Sequence, residues 1–191
     1  RGHRTAPYEF RILRKDGKIR WIMETLTPIL YEGKPAILGN SMDITEKIGA
    51  AESLRESEQR FREIIDFLPD ATFVIDREKR VVAWNRAIEE MTGIRAGDII
   101  GKKDQAYAVP FHGKKRPILI DFALSPEEIE ENAYSRFEKK GSLLLAEMEF
   151  LSPEGEKRFL WLKASPIYDG KGTIAGAVET IRDITDQKRI E

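Results

Sequence analysis

Few residues in this chain have the types and spacing that chemistry needs. Histidine occurs only at His3 and His112, and cysteine is absent from all 191 residues. That leaves no basis for a multi-histidine metal site, a zinc–cysteine site, an iron–sulfur cluster or a cysteine nucleophile. His112 has the chemistry of a haem ligand or a pH-sensitive switch. Gly113, Lys114, Lys115 and Arg116 follow it, however, and read as an exposed loop. The basic run itself could hold an anionic ligand group, with a solvated charged turn as the simpler reading. Glu127, Glu128, Glu130 and Glu131 mimic paired catalytic carboxylates. They fall at a predicted helix start, where acids complement the helix dipole. The run 170–175, GKGTIA, fits a loose dinucleotide loop. That mechanism needs a helix after the glycines, whereas Val178, Thr180 and Ile181 favour a strand. No nucleophile–base pair stands out, so no catalytic residue and no metal ligand is assigned.

The composition agrees with a globular chain. Lys+Arg is 32 and Asp+Glu is 33, a net charge of −1. No global field favours nucleic acid or an anionic membrane. Hydrophobic residues are 41% and charged residues 34%, as in a folded soluble chain. No apolar run approaches the roughly 20 residues of a membrane helix, and residues 1–7 lack a signal-peptide core. The expectation is a cytoplasmic segment, with no direct membrane insertion and any anchor outside it.

What positions the candidate residues is an internal repeat. Residues 8–47 and 148–188 align: Gly17 with Gly155 and Pro28 with Pro166 at an offset of 138, Asp43 with Asp183 at 140. Two residues are therefore inserted between proline and aspartate, where a hairpin loop tolerates them. Each copy reads as three antiparallel strands: 9–14, 18–30 and 36–42, then 144–151, 157–168 and 173–184. Alternating apolar residues mark the strands, and Asp16-Gly17, Glu32-Gly33 and Asp169–Gly172 mark the turns. Both copies end in Asp-Ile-Thr plus an acid, at 43–46 and 183–186. That pattern resembles a capping box and predicts a helix directly after each sheet.

Between the copies, residues 46–68 predict a helix. Ala51, Leu54, Phe61, Ile65 and Leu68 form a coiled-coil-like seam interrupted at Glu58. It serves either as a solvated connector or as a dimerising helix. Residues 71–76 and 80–84 read as two strands, and Asn85 as the N-cap of a helix over 86–91. A further helical turn is predicted near 96–100. Ser125-Pro126 then predicts the start of a longer helix reaching 140, with Ile129, Ala133 and Phe137 as its apolar stripe. The sum is an α+β unit: an antiparallel sheet with helices on one face.

Three stretches carry a family resemblance: FREIIDFLPDATFVID, then VVAWNRAIEEMTGI with IIGK, and the strand triplet ending in DIT. Residues 61–188 resemble a complete PAS domain with its PAC motif, and residues 8–47 resemble the PAC half of a preceding one. The organisation expected is residues 1–47 as that PAC part, 48–68 as a connecting signalling helix and 69–188 as the complete domain. The resemblance implies a five-stranded antiparallel sheet whose helices wall a pocket. It implies sensing of a ligand or partner, relayed through helices to an output domain of the kind found in sensor histidine kinases. A small-molecule carrier without output is the alternative. Residues 102–124 depart from the family's usual short helices.

On this resemblance the ligand-pocket candidates are Trp84, Asn85, Met91, Tyr107, His112, Arg116, Phe137 and Trp161. Core packing competes with a pocket role for the two tryptophans, and capping for Asn85. Asp43, Thr45, Asp183 and Thr185 are the signal-coupling candidates, a role compatible with capping. The cofactor is not identified. The missing cysteine removes a covalent flavin photoadduct, and a histidine-free longer helix argues against haem. A non-covalent flavin stays open. The three strands of 8–47 leave an apolar face and an edge uncovered. A homodimer through that sheet or through the connecting helix is therefore expected.

Overall fold

The structure, a computed structural model, describes residues 6–125, 134–151 and 155–190. Its backbone divides into two units, Arg1–Arg60 and Phe61–Glu191.

In the first unit, β1 (Tyr8–Leu13), β2 (Ile19–Tyr31) and β3 (Lys34–Asp43) form an antiparallel sheet in that order. Turn chemistry sets the register. Gly17 adopts a φ of 76°, and the Asp16 carboxylate accepts from the Lys18 amide at 3.0 Å. Glu32 and Gly33 make a two-residue turn with both φ positive, the twist that a tight hairpin requires. Leu13, Leu30, Tyr31, Ile37 and Leu38 are exposed within the chain. Helix α1 (Thr45–Phe67) follows directly and buries none of its residues within the chain.

In the second unit, strands β4 (Ala71–Asp76) and β5 (Val81–Trp84) lead into helices α2 (Arg86–Thr92) and α3 (Ala96–Ile99). A 3-10 turn at Ala106–Ala108, α4 (Val109–His112) and α5 (Leu119–Leu124) come next. Residues 102–124, read from sequence as departing from short helices, thus contain three short helical turns. Strands β6 (Arg136–Lys140), β7 (Leu143–Leu151), β8 (Lys157–Tyr168) and β9 (Ile174–Asp183) precede α6 (Thr185–Ile190). The sheet is antiparallel with order β5-β4-β9-β8-β7-β6. Strand alternation sends Phe73, Ile75, Leu144, Ala146, Leu160, Leu162, Ala177 and Ile181 to one face. Ile88, Ile99, Tyr107, Leu119 and Phe122 cover that face from the helices.

The fold class stands, with one correction inside it. Residues 136–140 are not the end of a helix: β6 pairs with β7 from Arg136↔Glu147 to Lys140↔Leu143. Gly141-Ser142 closes that hairpin, with Gly141 at a φ of 62°. A two-residue turn at this point fixes strand pairing and places Phe137 on a strand. Phe137 reaches the core from a sheet edge instead. Ser125 follows α5, donating its amide to the Asp121 carbonyl at 3.0 Å. Residues 126–133, the rest of the expected helix, lie outside the described residues. The sheet accordingly has six strands rather than five.

The repeat is visible in register. β2 and β3 pair as Thr25↔Asn40, and β8 and β9 as Lys163↔Thr180, the same pair displaced by 138 and 140. The two inserted residues lie in the second hairpin, which has a longer turn and a register shift at Ile167/Tyr168. No helix among the described residues is long and apolar enough to cross a membrane.

At Gly176, β9 lies close against β4. A Cβ there would lie 2.3 Å from the Ile75 carbonyl oxygen. Gly176→Ala must push two paired strands apart, at a cost of roughly 1–3 kcal/mol. The expected result is a lower urea midpoint with an unchanged slope; an unchanged midpoint would show that the strands yield freely.

Candidate functional site

The interior between sheet and helices is built around two polar centres. The first is Asn85, which follows β5 and is fully buried. Its Oδ1 accepts from the Thr72 amide at 2.9 Å and, as an N-cap, from the Ile88 amide at 3.0 Å. Its Nδ2 donates to the carbonyls of Ile65, Leu68 and Asp70 at 3.1, 3.3 and 3.0 Å. The side chain is therefore saturated, and it ties the end of α1 to β4 and α2.

The second centre is acidic. Tyr107, fully buried, donates its hydroxyl to Asp121 Oδ1 at 2.8 Å. Burial and the neighbouring Asp121 carboxyl push the Tyr107 phenol far above its ordinary value. Asp121 Oδ2 accepts from the Ile118 amide at 3.0 Å, and the Lys79 ammonium sits 3.0 Å from Oδ1. Three donors are the partner set of a carboxylate. Lys79 reaches it from the β4–β5 turn, where its backbone holds a φ of 61°. Glu179, on the inward register of β9, is also fully buried. Burial raises its carboxyl to about 8, with Asp121 adding to the rise and the Ile120 amide opposing it. Its Oε2 has no hydrogen-bond partner.

Glu179 lines a small cavity with Phe111, His112, Ile118, Leu119, Tyr134, Met148, Leu162 and Ile181. The room for a solvent centre is about 10 Å³, on the order of one water. His112 is half-buried at the end of α4 rather than exposed on a loop. Burial lowers its pKa, and Arg116 and Lys114 lower it further.

The structure gathers some sequence candidates and separates others. Trp84 and Tyr107 flank Phe73 with ring centroids at 5.4 and 5.5 Å. The Trp84 indole donates to the Ile94 carbonyl at 3.0 Å. Met91 and Phe137 pack half-buried against the same core. Arg116 is half-buried beyond α4. Trp161 lies on the opposite face of the sheet, where Arg182 stacks 5.9 Å from its ring centre. A wide, open groove of about 650 Å³ on that outer face includes Trp161, Val178 and Arg182; it encloses nothing. Sequence reading missed Lys79, Asp121 and Glu179. For Glu179 a signal existed: strand alternation places it inward with Ala177 and Ile181. Among the described residues, no group of three acids or histidines could hold a metal ion.

The four coupling candidates form one device, built twice. Asp43 Oδ1 accepts from the Thr45 amide at 3.0 Å, and Asp183 Oδ1 from the Thr185 amide at 2.9 Å. Thr45 Oγ1 accepts from the Trp21 amide at 2.8 Å, and Thr185 Oγ1 from the Phe159 amide at 2.9 Å. Ile44 donates to the Trp21 carbonyl at 2.9 Å, and Ile184 to that of Phe159 at 2.8 Å. Arg20 faces Asp43 at 3.7 Å and Arg158 faces Asp183 at 3.9 Å. The bonds from the Thr45 hydroxyl and amide hold Asp43 below the usual carboxylate range. Each helix start is thus pinned to the strand paired with the one that precedes it, β2 beside β3 and β8 beside β9.

Comparison with known proteins accords with this geometry. The family described as PAS fold matches residues 59–184, and that described as PAS domain matches residues 1–46. The chain is 26% identical over 185 residues to the oxygen sensor protein DosP of Escherichia coli, covering 95% of this chain and 21% of DosP. It is 25% identical over 137 residues to the methanogenesis regulatory histidine kinase FilI of Methanothrix harundinacea, covering 72% of this chain and 14% of FilI. The chain thus spans about a fifth or less of these relatives. Among solved structures, the PAS domain of Bordetella pertussis BvgS superposes with a TM-score of 0.44 at 19% identity, covering 70% of this chain and 90% of that one.

Proposed function

The chain belongs to the PAS-fold family, and from that premise we propose that it is a sensory relay without catalysis of its own. In this reading the interior of residues 69–188 registers a small molecule or a partner. Strand β9 carries the change to Asp183 and Thr185, and α6 delivers it to an output domain. The observation that carries the reading is the duplicated junction. The same two side chains clamp a strand amide and start a helix after each sheet, at α1 and at α6. A sensor kinase is the output domain proposed, in line with the regulatory histidine kinase among the relatives. Residues 1–47 are the PAC part of a first PAS domain, and 48–68 the connecting helix.

A homodimer is part of the proposal. Leu54, Phe61, Ile64 and Phe67 of α1 are exposed within the chain, as are Leu13, Ile19, Leu30, Tyr31, Ile37 and Leu38 of β1–β3. A second copy covering this surface would bury it at roughly 25 cal/mol per Å².

Hydrogen exchange tests the relay. Tyr107→Phe removes one donor from Asp121 in the core. It should change exchange at the Ile184 and Lys188 amides severalfold, in line with a hydrogen bond worth about 1 kcal/mol. In a Thr185→Val background that response should vanish. Exchange in α6 that ignores the core substitution in both backgrounds would overturn the relay.

A further inference from the structure

Two carboxyls meet in the core of the second unit, and Lys79 supplies the counter-charge for one of them. Asp121 on α5 and Glu179 on β9 are each 2% exposed. The Ile120 amide bonds to the Glu179 carboxyl. Asp121 is the next residue of α5, so that bond brings the two acids together. Lys79 reaches in from the β4–β5 turn and pairs with Asp121 at 3.0 Å. Its side chain is 33% exposed, so this lysine links the acid pair to the surface.

Each element packed against Glu179 bears on its charge. Its strand partners, Phe73 on β4 and Ala164 on β8, are apolar. Met148 on β7 and Leu162 on β8 line the cavity beside it, as does Tyr134 ahead of β6. From the 3-10 turn, Tyr107 donates to Asp121 and keeps its own proton. From α4, His112 is held neutral by burial, Arg116 and Lys114. The Ile120 amide eases ionisation of Glu179, but burial outweighs it. With Glu179 protonated, Asp121 and Lys79 cancel and the centre is neutral. Once Glu179 ionises, two buried carboxylates share one ammonium. Like charges repel strongly in such a site, and the surplus charge must find water. The cavity has room for a solvent centre of about 10 Å³, on the order of one water. That is too little to hydrate a second carboxylate, so an element must yield.

Strand β9 is poorly placed to do so. It pairs with β4 from Ala71↔Ile181 to Asp76↔Gly176 and with β8 from Leu160↔Asp183 to Tyr168↔Ile174. Helix α5 spans only Leu119–Leu124 and is held by the burial of Leu119, Ile120, Phe122 and Ala123. A helix this short has little stability of its own.

We propose that Glu179 is a proton-operated switch: loss of its proton beside Asp121 opens α5 to water, and its return closes α5 over the sheet. The switch gives the proposed relay an input, pH, and rests on that reading only for passage to α6. Glu179 shares β9 with Asp183, so one strand joins the switch to the helix junction.

The test combines ¹³C-methyl resonances of Ile120 and Ile184 with hydrogen exchange corrected for its intrinsic pH dependence. In the parent, the Ile120 methyl should titrate with a midpoint at about 8. The Asp121 and Ser125 amides donate within α5 to the Ile118 and Asp121 carbonyls at 2.9 and 3.0 Å. Their protection should fall about fivefold or more between pH 6.5 and pH 9 as α5 opens. Glu179→Gln, which imitates the protonated acid, should abolish both changes. Asp121→Asn removes the opposing charge and should lower the midpoint by about one pH unit, whereas Lys79→Met should raise it. Three results would overturn the switch: a transition that survives in the glutamine variant, a midpoint that both other variants leave in place, or a methyl transition with unchanged α5 protection. An α5 that opens while Ile184 stays unchanged upholds the switch and counts against the relay. An absent transition, with α6 still responding to Tyr107→Phe, overturns the switch and leaves the relay standing.

Discussion

Glu179→Gln should make the stability of this protein far less dependent on pH between about 4.5 and 8. The parent carboxyl rises from its ordinary 4.5 to about 8 in the folded chain. Within that window the folded chain holds a proton that the unfolded chain has released. Stability must then fall as pH rises, by about 1.4 kcal/mol per unit. The contribution is whole below pH 4.5 and gone above about 8, on the order of 5 kcal/mol in all. That is comparable with the entire stability of many domains. Glutamine has no proton to lose, so its curve lacks this slope. His112 acts in the opposite direction: its lowered pKa takes stability away as pH falls through the ordinary histidine range. The measurement is therefore the difference between urea midpoints of parent and variant at pH 5, 6, 7 and 8, in which His112 cancels. A difference that grows steadily in favour of glutamine is expected. Parallel curves would mean that Glu179 reaches water or a partner in solution and is not the closed, proton-holding group described above.

Glu179 also shows where sequence reading ends. Strand alternation places the side chain inward, and that much is legible from Ala177, Glu179 and Ile181. What the side chain meets is not legible, because its surroundings come from α4 and α5, about 60 residues earlier in the chain. Local patterns did better. The turns at Asp16-Gly17, Glu32-Gly33 and Asp169–Gly172, the inserted residues of the second copy and the helix starts after both Asp-Ile-Thr junctions depend on neighbours in sequence or on register, and each is found where the sequence places it. The turn expected at Pro153-Glu154-Gly155 falls mostly outside the described residues. The failure over residues 136–140 has the same root. A four-residue spacing of apolar residues describes a helix only if nothing nearby demands pairing, and Gly141-Ser142 demands it. By residue type, Trp161 groups with Trp84 as a pocket wall. Residue type alone cannot tell the two faces of a sheet apart, whereas the position of Trp161 between buried Leu160 and Leu162 does.

Asn85→Ala should be the most damaging single truncation in the second unit. The side chain makes five hydrogen bonds, two as acceptor and three as donor. Alanine leaves the amide of the fully buried Thr72 without that acceptor. It also removes the cap of α2, worth about 1 kcal/mol by itself. With buried groups left open at about 1–3 kcal/mol each, the expected loss is roughly 3–5 kcal/mol. Asn85→Asp separates the two halves of the role. It keeps the oxygen that accepts from Thr72 and Ile88, but turns a carboxylate toward the carbonyls of Ile65, Leu68 and Asp70. If those three donations matter, aspartate rescues little, and the segment from Ile65 to Asp70 loosens. The Leu68 amide, which donates to the Ile65 carbonyl at 3.2 Å, reports this directly through faster exchange. A stable aspartate variant with an unchanged Leu68 amide would show that the end of α1 is held by its apolar contacts alone. In that case a signal arriving along α1 would have no polar path into the core through Asn85, and the relay would rest on the junction at Asp183 and Thr185.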